Sequence, residues 1–127
     1  MPLVRISLLE GKPDSFLQKA GDAVHRAMVE TISVPAQDRF QIITEHEKSQ
    51  FVYDPSYLGI ERSDGLIIIQ ITLNQGRTVE MKKALYQKIA ANLRHELGVR
   101  VEDVLINLVE VAKENWSFGN GVAQYAG

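Results

Sequence analysis

The sequence predicts an α+β fold, with two tandem β-α-β units forming a four-stranded mixed sheet and two helices on one face. Three observations carry this. The chain lies on itself without a gap when shifted by 65 positions, so that Gly11/Gly76, Val34/Val99 and Asp38/Asp103 share one offset. The first copy opens on apolar residues at alternating positions, the period of a strand, and the second on a short apolar run. Between those stretches, apolar residues recur at helical spacing.

The elements follow in order. Leu3–Leu9 alternates through Val4, Ile6 and Leu8 and reads as a strand that Gly11 ends. Pro13-Asp14-Ser15 opens a helix, since proline is tolerated in the first turn. Phe16, Leu17, Ala20, Val24, Ala27, Met28 and Thr31 continue it as a stripe, residues 33–37 form a loop, and residues 39–45 form a second strand. A linker over residues 48–65 carries Pro55, Gly59 and Gly65. In the second copy, residues 66–73 form a strand whose Ile67-Ile68-Ile69 run reads as buried. Met81, Leu85, Ile89, Leu93 and Leu97 form the helix stripe, with Gly98 where a C-cap glycine belongs. Residues 104–109 form the last strand. The whole chain, 1–127, reads as one domain with repeat units of about 2–56 and 67–121.

Both helices are spent on one face of the sheet. The other face is expected to carry Leu3, Ile43, Ile68, Ile106 and Leu108 beside Arg5, Ser7, Gln70 and Thr72. So much aliphatic surface calls for a partner, expected to be another subunit; the alternative is a solvated face with scattered aliphatics.

Composition excludes several functions. A net charge of −2 and the lack of a basic run point away from nucleic acid. With no cysteine, the chain has no disulfide, thiolate or Cys-based zinc chemistry. No apolar stretch approaches the roughly 18 residues of a membrane span. The first ten residues lack the layout of a signal peptide. A cytoplasmic protein is therefore expected. Glu45-His46-Glu47 mixes metal-ligand types, but neighbours on a strand point to opposite faces, so no metal and no cofactor is expected. His25, beside the helix stripe, is expected to be packed.

Chemistry points to Pro2. Proline at position 2 is small enough for the initiator methionine to be removed, leaving a secondary amine at the start of a strand. A free α-amine titrates near pH 8. Burial or a nearby cation would make it a neutral base, and a nearby carboxylate would make it a cationic acid. Such an amine can also attack a carbonyl. Read alone, Pro2 is also simply a chain end.

Met-Pro-Leu-Val-Arg-Ile at the start resembles the tautomerase superfamily, whose members use an amino-terminal proline. Further segments carry the resemblance: Val34-Pro35-Ala36-Gln37-Asp38-Arg39-Phe40-Gln41, Gln75-Gly76-Arg77-Thr78 and Asn115-Trp116-Ser117-Phe118-Gly119. Two fused units look like the malonate semialdehyde decarboxylase branch and not the short 4-oxalocrotonate tautomerases. The resemblance implies a tautomerase/MIF-like fold and a homotrimer. It also implies catalytic roles for Pro2, Asp38 and Arg77, and a pocket lined by Trp116 and Phe118. One form of the decarboxylase carries two arginines in the loop after the third strand, where this chain has Asn74 and Gly76, with Arg77 just beyond.

Each residue also has a structural reading. Asp38 and its mate Asp103 could both serve loop N–H groups. Arg77 has a basic mate in Lys12, though a guanidinium suits a substrate carboxylate better. Arg39, whose mate is Val104, could bind substrate or pair with a carboxylate. Trp116 and Phe118 mirror Phe51 and Tyr53, as a shared packing role would require.

The functional expectation is an enzyme acting on a small carboxylate-bearing substrate, a 2-oxo or 3-oxo acid. Its reaction would be enol–keto tautomerisation, decarboxylation or hydration. The alternative is a non-catalytic oligomeric ligand-binding or signalling module of the same fold.

Overall fold

The computed structural model describes residues 2–126. Strand β1, Leu3–Leu9, sends Val4, Ile6 and Leu8 inward. Helix α1, Asp14–Ile32, follows, with Pro13 at its N-cap and Asp14 in the first turn, where a carboxylate faces the positive end of the helix dipole. Strand β2 is Gln41–His46 and β3 is Ile67–Asn74. Helix α2, Val79–Leu97, starts at Thr78, whose hydroxyl accepts the Met81 N–H at 3.2 Å. It ends at Gly98 in the left-handed region, with basic Arg94 and His95 in the last turn. Strand β4 is Val104–Val111. The 65-residue offset carries α1 onto α2 residue for residue, and the 3-10 turn Lys48–Gln50 onto Lys113–Asn115.

The strand order is β2-β1-β3-β4. Each crossover helix joins a parallel pair, and the two units meet through the antiparallel pair β1–β3. The sheet is therefore mixed, with two β-α-β units related by a pseudo-twofold between β1 and β3. Ile69, Ile71 and Leu73 of β3 pack with β1 beneath Val24, Met28, Leu85, Ile89 and Leu93 of the helices. Burying such a side chain contributes about 1.5–3 kcal/mol. The helices are pinned together by the buried Asn92, whose Nδ2 donates to the Ala23 carbonyl at 3.1 Å.

The sequence expectation for the open face needs correction. Ile43, Ile106 and Leu108 pack against the core under the helices. In the observed register the open face instead carries Leu3, Arg5, Ile42, Ile68, Gln70, Thr72, Leu105, Asn107 and Val109. The second strand begins at Gln41, not Arg39, and its register sets Gln41 opposite Val4 and Ile43 opposite Ile6, so the inward-facing residues of β2 are the odd-numbered ones, Ile43 included. Ile42, Leu105 and Val109 remain exposed. No helix of the described residues is long and apolar enough to cross a membrane.

Candidate active site

The register decides what meets at each end of the sheet. β1 and β2 begin, and β3 and β4 end, on the same edge. That edge carries Pro2, the loop before β2, the Asn74–Arg77 turn and the chain after β4. The opposite edge carries their repeat mates: Lys12, Phe51, Tyr53 and Asp103. There the position matching Pro2 is Ile67, which lies within the chain and follows Leu66.

Pro2 is buried. It lines a pocket of about 200 Å³ with Leu3, Phe40, Trp116, Ser117 and Phe118. The Trp116 and Phe118 rings stack with centroids 5.5 Å apart, and Tyr125 meets Phe118 edge-on at 5.0 Å. The chain after Phe118 turns back on itself: Gln124 Oε1 accepts the Phe118 N–H at 2.9 Å, and Gln124 Nε2 donates to the Gly119 carbonyl at 3.0 Å. The wall is thus apolar and braced from behind. A broader hollow of about 690 Å³ lies on the outer side of α2, along Gln87, Ala91 and Arg94. It is open to solvent and far from the converging strand ends, so the smaller pocket is the better candidate site.

Two loops flank the Pro2 pocket. The Val4 N–H donates to the Phe40 carbonyl at 3.0 Å, joining the start of β1 to the approach to β2. Upstream, Ser33 ends α1 in the left-handed conformation, and the Asp38 N–H donates to the Pro35 carbonyl at 3.0 Å. His25 is buried, and its Nε2 lies 2.7 Å from the Ala36 carbonyl oxygen, so the loop bearing half-buried Asp38 is tied to the helix.

On the other side, Gly76 takes a φ of 119°, open to glycine alone at no cost, and aims the chain into Arg77. Arg77 is half-buried; Nη1 donates to the Asn74 carbonyl at 3.1 Å and Nη2 to the Ile32 carbonyl at 3.5 Å. Its Nε is buried and donates to no described residue. The loop is backed by Glu110, which accepts Lys82 Nζ at 2.8 Å. That hydrogen bond, with the charge of Lys82, the Gly76 N–H and the charge of Arg77, holds the Glu110 carboxyl below its ordinary value of 4.5, against partial burial that raises it. The repeat mate Glu45 backs the loop at the other edge, where its Oε2 accepts the N–H groups of Gly11 and Lys12 at 3.1 and 3.2 Å.

The structure therefore brings Pro2, Trp116 and Phe118 into one pocket and sets Arg77 and the Asp38 loop on the same edge. Arg39 lies elsewhere. Its Nη2 donates to Asp22 Oδ1 at 2.7 Å and its Nε to Gln41 Oε1 at 3.1 Å, so the guanidinium lies along α1 and does not line the pocket. Sequence reasoning missed Phe40, which borders the pocket at 52 % exposure. A large apolar residue ahead of a strand, left without a core partner, was the available signal. It also passed over Asn74, whose Oδ1 accepts the Trp116 indole N–H at 2.8 Å. Among the described residues no cluster of three or more His, Asp or Glu could hold a metal ion.

Known proteins are similar to this chain in sequence and in fold. One family model described as tautomerase enzyme matches residues 38–119, and another of the same description matches residues 2–60. The chain is 53% identical over 124 residues to the probable tautomerase YusQ of Bacillus subtilis (strain 168), covering 98% of each. Among solved structures it resembles FG41 malonate semialdehyde decarboxylase inhibited by 3-bromopropiolate, with a TM-score of 0.91 and 40% identity over 98% of this chain and 94% of that one. It also resembles a fused 4-OT symmetric trimer, with a TM-score of 0.79 and 25% identity over 98% of each chain. With two β-α-β units and matching family models across both, the chain belongs to the tautomerase superfamily and is a tautomerase-family enzyme.

Proposed function

We propose that this enzyme uses Pro2, freed as an N-terminal secondary amine, to act on small 2-oxo or 3-oxo acids. The observation that carries the reading is the placement of Pro2 in an apolar pocket with Trp116 and Phe118, on the sheet edge that also bears Arg77. An amine in such a pocket is poorly solvated, which favours its neutral form as a base. For enol–keto tautomerisation, neutral Pro2 takes the hydroxyl proton and a proton is returned at carbon. For a 3-oxo acid, cationic Pro2 would stabilise the enolate charge that develops as carbon dioxide leaves. Hydration of an unsaturated acid is the third variant, with Asp38 orienting or activating water. In each, Arg77 holds the substrate carboxylate, and Trp116 and Phe118 exclude water.

Tautomerisation is the primary reading, supported by the names of the curated relatives. Decarboxylation is the second, supported by the likeness to FG41 malonate semialdehyde decarboxylase. The fuller reading is a cytoplasmic homotrimer, supported by the symmetric trimer of the fused 4-OT relative and by the exposed aliphatics of the open sheet face.

The test starts from the chain end. Mass spectrometry should show Met1 removed, and 3-bromopropiolate should label Pro2 alone. Pro2→Ala should lose about 10²–10⁴ in rate on phenylpyruvate-like enols, the usual loss for a positioned acid–base group. An intact Met1, or Pro2→Ala with wild-type rate and pH profile, would remove proline from the mechanism and favour the binding-module alternative.

A further inference from the structure

Asn74 is used twice at this edge of the sheet. Its side-chain Oδ1 accepts the Trp116 indole N–H at 2.8 Å, and its backbone carbonyl accepts Arg77 Nη1 at 3.1 Å. One residue at the end of β3 therefore touches both the apolar wall and the cation.

The duplicated unit supplies an internal control. Shifted by 65 positions, Asn74 falls on Leu9 and Trp116 on Phe51. Both polar members are absent together at the opposite edge, where buried Phe51 stacks on His46 with ring centroids 5.8 Å apart. The same fold position is thus filled by an apolar pair in one copy and a hydrogen-bonded pair in the other. Replacing both partners of a hydrogen bond by apolar groups is close to neutral for stability. The fold does not need the polar pair, yet its tryptophan lines the Pro2 pocket.

Donor and acceptor chemistry orients the amide. An indole N–H only donates, so the Asn74 oxygen must face Trp116. That leaves the Nδ2 group as the other face of a half-buried amide, and it donates to no described residue. A pair of locked, unspent donors, on the residue whose backbone carbonyl holds Arg77, suits an oxygen acceptor. A freely rotating asparagine could offer either end; this one cannot.

We propose that Asn74 is a positioning and specificity-determining residue of the pocket: it fixes the plane of Trp116, and its locked Nδ2 donors select a ligand bearing a carboxylate or oxo oxygen beside Arg77. The inference rests on the reading of the Pro2 pocket as the binding place of a small oxo acid. Asn74→Leu removes both functions, whereas Asn74→Asp keeps an acceptor for the indole while replacing the donors with a negative charge.

Trp116 is the single tryptophan of the chain, so the protein gives one indole N–H resonance in a nitrogen-15 correlation spectrum. In Asn74→Leu that proton should move upfield as its hydrogen bond is lost, and kcat/KM should fall about five- to tenfold, the worth of one neutral hydrogen bond. In Asn74→Asp the resonance should stay in the hydrogen-bonded range, while KM for the oxo acid rises at least about tenfold through lost donors and repulsion. The double variant Asn74→Leu/Trp116→Phe, which copies the Leu9/Phe51 pair, should melt close to wild type yet remain catalytically impaired. That separates positioning from folding.

An unmoved indole resonance in Asn74→Leu overturns the positioning role, and a wild-type KM in Asn74→Asp overturns the donor role. A fully active Asn74→Leu alongside an inactive Pro2→Ala sinks this inference alone. A fully active Pro2→Ala sinks the oxo-acid reading, and with it the selection of a ligand oxygen, while the resonance still reports whether Asn74 holds Trp116.

Discussion

Asp38 and Asp103 occupy one position in the two copies, and replacing each should separate structure from chemistry. Asp103 is 2 % exposed. Its Oδ1 accepts the Ser63 N–H at 2.7 Å and its Oδ2 accepts the Ser63 hydroxyl at 2.5 Å, which ties the linker between the copies to the start of β4. Ser63 Oγ in turn accepts the Gly65 N–H at 3.1 Å. Gly65 belongs here because a Cβ would sit 3.2 Å from Asp103 Oδ2, tighter than most side chains tolerate. Asp103→Ala leaves two donors without an acceptor. Hydrogen bonds to a charged group contribute about 1.5–3 kcal/mol each. The Arg100 contact at 3.6 Å adds little, since Arg100 is largely solvated. The expected loss is about 3–5 kcal/mol, the range for breaking a buried charged contact. Asp103→Asn keeps one acceptor and should lose about half as much, near 1.5–3 kcal/mol. Asp38, half-buried on its loop, should give a smaller stability loss on Asp38→Ala but a larger loss of kcat/KM per folded molecule. Urea unfolding followed by circular dichroism, at fixed protein concentration, measures both stabilities, and steady-state kinetics measures the loss of kcat/KM. The reasoning fails if Asp103→Ala lies within about 1 kcal/mol of wild type, or if Asp38→Ala unfolds as readily as Asp103→Ala.

Other outcomes follow from the same geometry. Arg77→Ala should lower kcat/KM on a carboxylate substrate by about one to two orders of magnitude, from the roughly 1.5–3 kcal/mol of a charge-assisted contact; unchanged kinetics would assign carboxylate binding to another group. Lys82→Met should lower the melting temperature at neutral pH but not in acid. Glu110 is held below its ordinary value by Lys82, so the pair contributes stability above the unfolded carboxyl pKa and loses it as pH falls through the folded one. Thermal melts at both pH values check this, and an equal deficit in acid would mean that the Lys82 stem acts through packing. Sedimentation equilibrium should give three times the chain mass, and a stable monomer at micromolar concentration would defeat the trimer.

The amino-acid sequence by itself determined the repeat, and through it most of the architecture. Period-two and helical spacings are local properties, set by which side chains a strand or a helix turns to one face, so β1 could be read directly from Val4 and Ile6, and α2 from Leu85 and Ile89. Gly76 and Gly98 could be read for the same reason, because their backbone angles exclude most other residues. Pro2, Trp116 and Phe118 emerged as candidates from position and motif. Tertiary structure decided what depends on register and approach. Which face of β2 turns inward is set by its pairing with β1, and pairing placed Ile43 opposite Ile6, under the helices. Arg39 and Arg77 look alike as charges in a string, but only the fold shows Arg39 held by Asp22 and Arg77 held against Asn74. Asp38 and Asp103 match at one offset, and only the linker's path decides that Ser63 reaches the second. The Asn74–Trp116 hydrogen bond spans 42 residues, and no local pattern encodes such a contact. Spacing along a chain records the geometry of single elements, whereas a site is made where different elements end together.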